Sequence, residues 1–126
     1  MSTVSVGTVQ SNTSSPVTFK NSSGTEIGTL CRAFCNFNGT GTVAIRAAFN
    51  VSSITDNGTG DYTVNFTNAL PDANYSAVGL CRISGNIRNI ISLDGVNTAL
   101  TTGSVRVRTL DAALLDADFV CVSIFR

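Results

Sequence analysis

The side chains that could do chemistry in this chain are seven aspartates, the single glutamate Glu26 and four cysteines, because the sequence contains no histidine. Without histidine, a Ser–His or Cys–His pair for nucleophilic catalysis is excluded, and a Ser–Lys pair would need Lys20, the only lysine. Two aspartates could flank a glycosidic bond, and Asp56, Asp61 and Asp94 are the candidates for such a hydrolase. Since aspartate is common in turns for conformational reasons, we expect no catalytic residue and no enzymatic activity.

The tetrapeptide Asn-Gly-Thr-Gly occurs twice, at residues 38–41 and 57–60, and it could be a phosphate loop, a metal-binding turn or a chain reversal. A phosphate loop leads into a helix, whereas both repeats lead into alternating sequence, TVAIRAAF and DYTVNF. Asp56, Asn57 and Asp61 offer oxygen ligands for a cation, but the later glutamate of a calcium loop is absent. Because Asn-Gly readily adopts the positive φ that hairpins need, we predict two turns, and we expect neither a metal nor a cofactor.

The four cysteines are Cys31, Cys35, Cys81 and Cys121. If LCRAFCNF is a strand, Cys31 and Cys35 lie on one face about 13 Å apart. A disulfide needs Cα atoms within about 7 Å of each other, and zinc sites usually include histidine and a tighter spacing. We therefore predict reduced, buried thiols that act as small apolar side chains.

The composition restricts the class of protein. Of the 126 residues, 43% are hydrophobic and only 13% are charged, and the net charge is zero. We therefore expect no basic face for nucleic acid, and no apolar stretch reaches the ~20 residues that cross a bilayer. The first residues lack the features of a secretory signal, so we expect folding in a cytoplasm. The low charge fits a protein that buries surface in an assembly.

Alternation of apolar and polar residues dominates from residue 30 onward, which is typical of half-buried strands. DYTVNFT and GSVRVRTL show it clearly, and TVAIRAAFNV predicts an inward face made of Val43, Ile45, Ala47, Phe49 and Val51. YSAVGLCRI and DFVCVSIF are apolar almost throughout, so they are predicted to be buried on both faces. Residues 109–118 could form one or two helical turns or a loop.

Short strands separated by turn signals predict an all-β fold, an antiparallel, jelly-roll-like β-sandwich. We expect residues 30–126 to form this single domain, with Tyr62 and Tyr75 in its core. Residues 1–29 are polar and poor in core-forming side chains. They are predicted to form an extended N-terminal arm with one or two short strands.

Seven of the eight basic residues are arginines. Arg46, Arg106 and Arg108 fall on polar strand faces, and Arg32 and Arg82 lie beside cysteines. Arginine is favoured in interfaces because it forms bidentate pairs and stacks on rings. Surface salt bridges are the alternative, and these stabilise a fold little. The pattern leaves both open.

The string FNGTGTVAIRAAFNVSSITDNGTGDYTVNF, together with the final VCVSIFR, resembles a module of bacteriophage virion proteins. This module often forms the C-terminal domain of tail fibre or tail-associated proteins, particularly in phages of aquatic bacteria. The resemblance covers residues 23–126. It implies a β-rich, surface-exposed fibre-tip or tail-fibre-type component of the virion, without catalytic residues. By analogy with fibres, it implies a homo-oligomer, most simply a homotrimer, assembled in the host cytoplasm.

Two alternatives to a fibre module follow from the same residues. Only a short arm precedes the module, which fits a tip that docks on another fibre protein, or a decoration (cement) protein of the capsid. The chain could also be a host-receptor module that binds a surface glycan or protein through its turns at residues 57–61, 70–75 and 94–103, because loops on a rigid scaffold commonly carry binding sites.

Overall fold

The computed structural model of the protein describes residues 3–11, 17–85, 89–93 and 99–126, and within these ranges it contains ten β-strands and no helix. The strands are β1 (Phe19–Lys20), β2 (Glu26–Gly28), β3 (Cys31–Asn38), β4 (Ala44–Phe49), β5 (Val51–Gly58), β6 (Asp61–Phe66), β7 (Ser76–Arg82), β8 (Ile90–Leu93), β9 (Ser104–Leu110) and β10 (Phe119–Phe125). Every pairing between them is antiparallel. The predicted all-β antiparallel fold is confirmed.

The chain divides into two compact units, Met1–Leu30 and Cys31–Arg126. In the first unit, β1 and β2 pair as a hairpin, so the short strands predicted for the arm are present. The side chain of Asn21 organises the turn between them, because its Oδ1 accepts hydrogen bonds from the backbone N–H groups of Ser23 (3.0 Å) and Thr25 (2.9 Å). This asparagine turn reverses the chain without help from a hydrophobic core.

The second unit is a sandwich of two four-stranded sheets, with strand orders β4-β3-β10-β7 and β5-β6-β9-β8. Its first and last strands, β3 and β10, lie side by side in the middle of one sheet. Three consecutive pairs, β3/β4, β5/β6 and β8/β9, stay within one sheet. The other consecutive strands lie in opposite sheets, which encloses one hydrophobic core between the layers.

The core consists of the inward side chains of the central strands. On β6 and β9 the predicted alternation is confirmed, since Tyr62, Val64, Val105 and Val107 are each at most 2% exposed. Tyr62 packs across the sandwich on Phe37 of the other sheet, edge to face, with ring centroids 5.2 Å apart. Aromatic contacts of this geometry stabilise a core beyond the area they bury.

The segment TVAIRAAFNV is not one strand, and the structure corrects its predicted inward face. Its ends pack against the core, and Ile45 pairs with the buried Phe37 but is 38% exposed on this edge strand. The prediction is wrong for Ala47 and Phe49, which lie on the outer side. The reason is a corner at Asn50, whose φ of 53° turns the chain from β4 into β5 of the other sheet. Asparagine tolerates this left-handed conformation, and here its Oδ1 also accepts the backbone N–H of Asn68 at 2.8 Å.

The prediction that YSAVGLCRI is buried on both faces is wrong as well. This segment forms β7, an edge strand whose side chains alternate. Ala77 and Cys81 pack against the core, whereas Val78 and Leu80 point outward and are 52% and 72% exposed. On β10, from DFVCVSIF, the outward side chains are half-buried except Phe125, which is exposed. An apolar run therefore marks an exposed apolar sheet surface here, and not a doubly covered strand.

Residues 111–118 form an irregular loop between β9 and β10, so the helical alternative for residues 109–118 is wrong. The loop folds back on the end of β9 through a bridge between Leu110 and Leu114. Thr109 reinforces this return, because its hydroxyl donates to the carbonyl oxygen of Leu115 at 2.6 Å.

Both Asn-Gly-Thr-Gly repeats are turns, as predicted, and hydrogen bonds tie both to this loop. Gly39 donates its N–H to the carbonyl oxygen of Ala117, and Gly60 donates its N–H to Oδ1 of Asp116, each at 2.8 Å. The buried hydroxyl of Tyr62 lies 3.0 Å from the oxygen of Gly39 and 2.9 Å from Oδ1 of Asp116. Burial, and then the Asp116 carboxylate, raise the pKa of Tyr62, so the hydroxyl keeps the proton it donates. We call these five residues the Tyr62 lock.

The two repeats allow a matched test of the lock. Gly41 and Gly60 occupy the same position in their repeats, with φ of +62° and +63°. A Cβ on Gly41 would meet nothing within 4 Å, whereas a Cβ on Gly60 would lie 2.5 Å from the carbonyl oxygen of Thr109 and 2.7 Å from the nitrogen of Leu115. Both Gly→Ala changes therefore introduce the same backbone strain, and only Gly60→Ala adds a clash with backbone.

We expect Gly41→Ala to lower the free energy of unfolding by about 1 kcal/mol, the strain of a left-handed alanine. Gly60→Ala should lower it by about 3 kcal/mol or more, because backbone atoms cannot rotate away as a side chain can. Urea denaturation of the two variants beside the wild type measures both values. If Gly41→Ala and Gly60→Ala lower the free energy of unfolding equally, the Tyr62 lock is not tightly packed around Gly60.

Candidate interaction surfaces

The outer surface of the β5-β6-β9-β8 sheet is polar. The strand register brings its hydroxyl, amide and charged side chains together, and we call the following set the polar face: Ser53, Thr55, Asn57, Asp61, Thr63, Asn65, Ser104, Arg106 and Arg108. These side chains bond to one another in rows. Asn65 donates from Nδ2 to the hydroxyls of Ser53 (3.1 Å) and Thr55 (2.9 Å), and Asn57 donates to the hydroxyl of Thr63 (2.9 Å). The face is thus a fixed array of donors and acceptors.

Asp61 is the charged centre of the polar face. The guanidinium of Arg106 donates to it in a bidentate pair, with both N–O distances 2.8 Å, and Nε of Arg108 lies 3.4 Å from Oδ2. Asp61 itself is only 6% exposed. The hydrogen bond from Arg106 is the main reason that the pKa of Asp61 lies below its usual value. The carboxylate is therefore ionised and engaged at neutral pH.

The aspartates proposed for catalysis or cation binding have other partners. Oδ1 of Asp56 accepts the backbone N–H of Gly58 at 2.9 Å, and Nδ2 of Asn57 lies 3.4 Å from Asp61. Asp94, the third candidate, lies outside the described residues. Among residues 3–11, 17–85, 89–93 and 99–126, no group of three His, Cys, Asp or Glu side chains could hold a metal ion. The structure thus gives Asp56 and Asp61 structural partners.

The three turns that could bind a receptor differ in exposure and in the hydrogen bonds that hold them. The turn at residues 57–61 is exposed up to Thr59 and borders the polar face. The turn at residues 70–75 is held at both ends, because Leu70 donates to the oxygen of Thr102 and the hydroxyl of Tyr75 donates to the oxygen of Ser104, each at 2.8 Å. Residues 94–98 of the third loop lie outside the described residues.

The outer surface of the β4-β3-β10-β7 sheet is apolar. Large side chains from all four strands are exposed there: Phe34 (39%), Phe49 (57%), Val78 (52%), Leu80 (72%) and Phe125 (36%). We call these five side chains the apolar face. Single exposed apolar residues are normal on a protein surface, but five large ones on the outer surface of one sheet suit an interaction site.

The register gives the apolar face a ridge on each side of a trough. One row across the sheet reads Phe49, Phe34, Ser123 and Val78, and the next row reads Ala47, Asn36, Cys121 and Leu80. The rings of Phe34 and Phe49 stack with centroids 6.4 Å apart. The small side chains of β10 therefore lie between an aromatic ridge on β3/β4 and an aliphatic ridge on β7.

Four of the predicted arginines, Arg46, Arg82, Arg106 and Arg108, have partners within the domain. Arg46 crosses the end of the apolar face, donating to the carbonyl oxygen of Asp118 at 2.7 Å, with its guanidinium 5.9 Å from the centre of the Phe119 ring. Arg82 pairs with the carboxylate of Asp118 through Nε at 3.1 Å. Arg46 and Arg82 form the rim of the apolar face. Intramolecular pairing thus accounts for them, and their part in subunit contacts stays a prediction.

The four cysteines are free thiols, and their burial varies. Cys35 is 1% exposed in the core, and burial raises its pKa to about 12. The pKa of Cys81 is raised for the same reason. Cys31, Cys81 and Cys121 are half-buried, so the prediction of full burial is wrong for them. Cys121 faces outward because alternate residues of β10 belong to the apolar side of the sheet.

A small cleft opens between β7 and β8, where the two sheets approach. It is lined by Ala77, Val78, Gly79, Ile91, Ser92, Leu93, Val107 and Val122, which carry no ionisable group. Gly79 permits this approach, since a Cβ there would lie 3.0 Å from Cδ1 of Ile91 on β8. The cleft is therefore a consequence of sheet packing and offers no convergent polar groups.

Comparison with known proteins gives a likeness of fold. No protein-family model matches the chain, and no curated protein matches it significantly. A similar solved structure is that of the phiAB6 tailspike in complex with three-repeated oligosaccharides of Acinetobacter baumannii surface polysaccharide. The TM-score is 0.52 with 16% sequence identity, and the match covers 98% of this chain but 30% of the tailspike. The chain thus spans less than a third of that protein's length, and what the two share is the fold.

No helix in the described part of the chain is long and apolar enough to cross a membrane.

The Asp61 ion pair predicts a specific pH dependence. Because its folded-state pKa lies below the ordinary 3.8, the ionised carboxylate stabilises the fold fully above about pH 4. This contribution is lost as the pH falls through the folded-state pKa. Asp61→Asn should lower the free energy of unfolding by about 2 kcal/mol at pH 7, and the deficit should shrink below pH 3.8.

Asp72→Asn is the matched control, because Asp72 also pairs with an arginine, Arg126, at 2.7 Å, but at an exposed site. Its loss should be smaller, since exposed pairs are screened by water. Denaturant curves for both variants at pH 7 and pH 3 measure the difference. A deficit for Asp61→Asn that is the same at both pH values would rule out the ionised pair as its cause.

Proposed function

We propose that this chain is a non-enzymatic structural module of a bacteriophage virion, associated with the tail, that assembles with copies of itself. The observation that carries the proposal is the likeness of fold to a tailspike over 98% of the chain. The resemblance of residues 23–126 to a module of tail fibre and tail-associated proteins supports the same class. Since the match covers 30% of the tailspike, the role proposed is that of one module and not of a whole tailspike.

The ion pairs that three aspartates form with arginines support a role without catalysis. Cleavage of a glycosidic bond needs one carboxyl group whose pKa is raised, so that it can donate a proton. Asp61, Asp72 and Asp118 are each paired with an arginine, and that pairing lowers the pKa of all three. These groups hold a proton poorly. They are suited to fixing strands and turns, which is the work of a structural module.

The two faces of the sandwich give the module its proposed mechanism. A rigid core holds one apolar and one polar surface on opposite sides of the same domain. The apolar face suits contact within the particle, because its burial removes apolar area from water. The polar face and the turn at residues 57–61 suit exposure to solvent, which fits a surface-exposed position.

Receptor binding is a second candidate function, and it would use the polar face. The tailspike of similar fold was solved with bound oligosaccharides. Sugars present many hydroxyl groups, and the polar face offers an array of amide, hydroxyl and charged groups already held in place. We place this function second because the polar face contains no aromatic side chain on which a sugar ring could stack.

Location on the particle tests the first proposal. Antibodies against the chain should label the tail of intact phage particles in electron micrographs. Label over the head would contradict the tail assignment and favour a capsid decoration protein. Intact particles that carry the chain nowhere would contradict the virion role altogether.

A glycan array tests the second candidate. If the polar face binds a saccharide, Thr55→Trp should abolish binding, because the indole would cover the rows around Asn65. Thr25→Trp is the matched control, since Thr25 is also an exposed threonine but lies in the first unit. Binding that survives Thr55→Trp, or no binding by the wild type, would contradict a glycan site on this face.

A further inference from the structure

We propose that the apolar face is the surface through which copies of this chain bind one another. The inference rests on the proposed function, because it names the surface that assembles the module. Three properties of the face point to a second copy as its partner, and these are its area, its charge and its shape.

The area matches what a specific interface requires. The five side chains of the apolar face together expose on the order of 450 Å², given about 200 Å² for an aromatic side chain. A standard interface buries about 800 Å² on each partner, of which about 60% is apolar. The apolar face therefore supplies the whole apolar part of such an interface. The polar part of the interface area would come from the rim, where Arg46, Arg82 and Asp118 lie.

The charge distribution favours a copy of the same chain over a charged partner. No member of the apolar face is ionisable, and at its rim Arg82 and Asp118 neutralise each other. Arg46 is held by backbone oxygens and by the Phe119 ring. The net charge of the chain is zero, so two copies approach without the repulsion that keeps charged proteins apart.

The shape of the face is complementary to itself. The Val78–Leu80 ridge of one copy fits the trough over Cys121 and Ser123 of the next copy, where side chains are small. This ridge-in-trough contact can close in a pair, and it can also close in a ring of three copies. The ridges lie on paired strands, and stacking orders the Phe34 and Phe49 rings. Little side-chain freedom is therefore lost on association.

The molar mass of the purified chain in solution tests this inference. Light scattering during size-exclusion chromatography should give a multiple of the 13.1 kDa monomer. Leu80→Asp should return the mass to that of the monomer and weaken association by about 30-fold or more, the effect of losing one central contact residue. Leu80 is 72% exposed, so the variant should keep the wild-type circular dichroism spectrum.

Phe49→Asp is the second variant, on the opposite ridge, and should have the same effect. Ile90→Asp is the matched control, since Ile90 is 43% exposed on the sheet that bears the polar face. It should leave the mass unchanged. A monomeric wild type, or folded Leu80→Asp and Phe49→Asp variants that keep the wild-type mass, would overturn the inference. A monomeric wild type would also contradict self-assembly in the proposed function, whereas folded variants that keep the wild-type mass would contradict only the choice of surface. Neither result affects the labelling test, so the virion role stands or fails separately.

Discussion

The hydroxyl of Tyr62 is buried at one end of the sandwich, and a buried hydroxyl destabilises a fold unless it finds a partner. Here its partners are the carbonyl oxygen of Gly39, in the turn after β3, and the carboxylate of Asp116, in the loop before β10. The same Asp116 oxygen also accepts the N–H of Gly60, in the turn before β6. Each of these residues places the end of a strand that forms the core or a face. The positions of β3, β6 and β10 therefore depend on one satisfied polar cluster as well as on apolar packing.

The alternating strands could be predicted from the sequence wherever one side of the strand is polar. On β6 and on residues 104–108 of β9, the outward residues are all polar or charged, so the apolar residues between them point to the core unambiguously. On β7 the outward residues are Val78 and Leu80, and pattern alone cannot distinguish an apolar outer surface from a second buried face. The pattern therefore predicts the strand at Val78 and Leu80 but assigns these side chains to the interior.

The other differences between the predicted and the observed structure arise from irregularities in single strands and from contacts between residues far apart in sequence. A bulge between Asn36 and Phe37 shifts the register of β4, and the corner at Asn50 then moves the chain to the other sheet. Gly60 and Asp116 are 56 residues apart, so no local pattern could pair them. The turn chemistry of the two repeats was predictable because Asn-Gly acts locally, whereas the partners of those turns were not.

Cys35 also affects how the domain responds to its redox surroundings. Oxidants attack the thiolate form of cysteine and not the thiol. Because burial raises the pKa of Cys35 to about 12, its thiol stays protonated at neutral pH. The surrounding core also excludes the oxidant itself. The sandwich thus keeps this part of its interior chemically unchanged in oxidising surroundings.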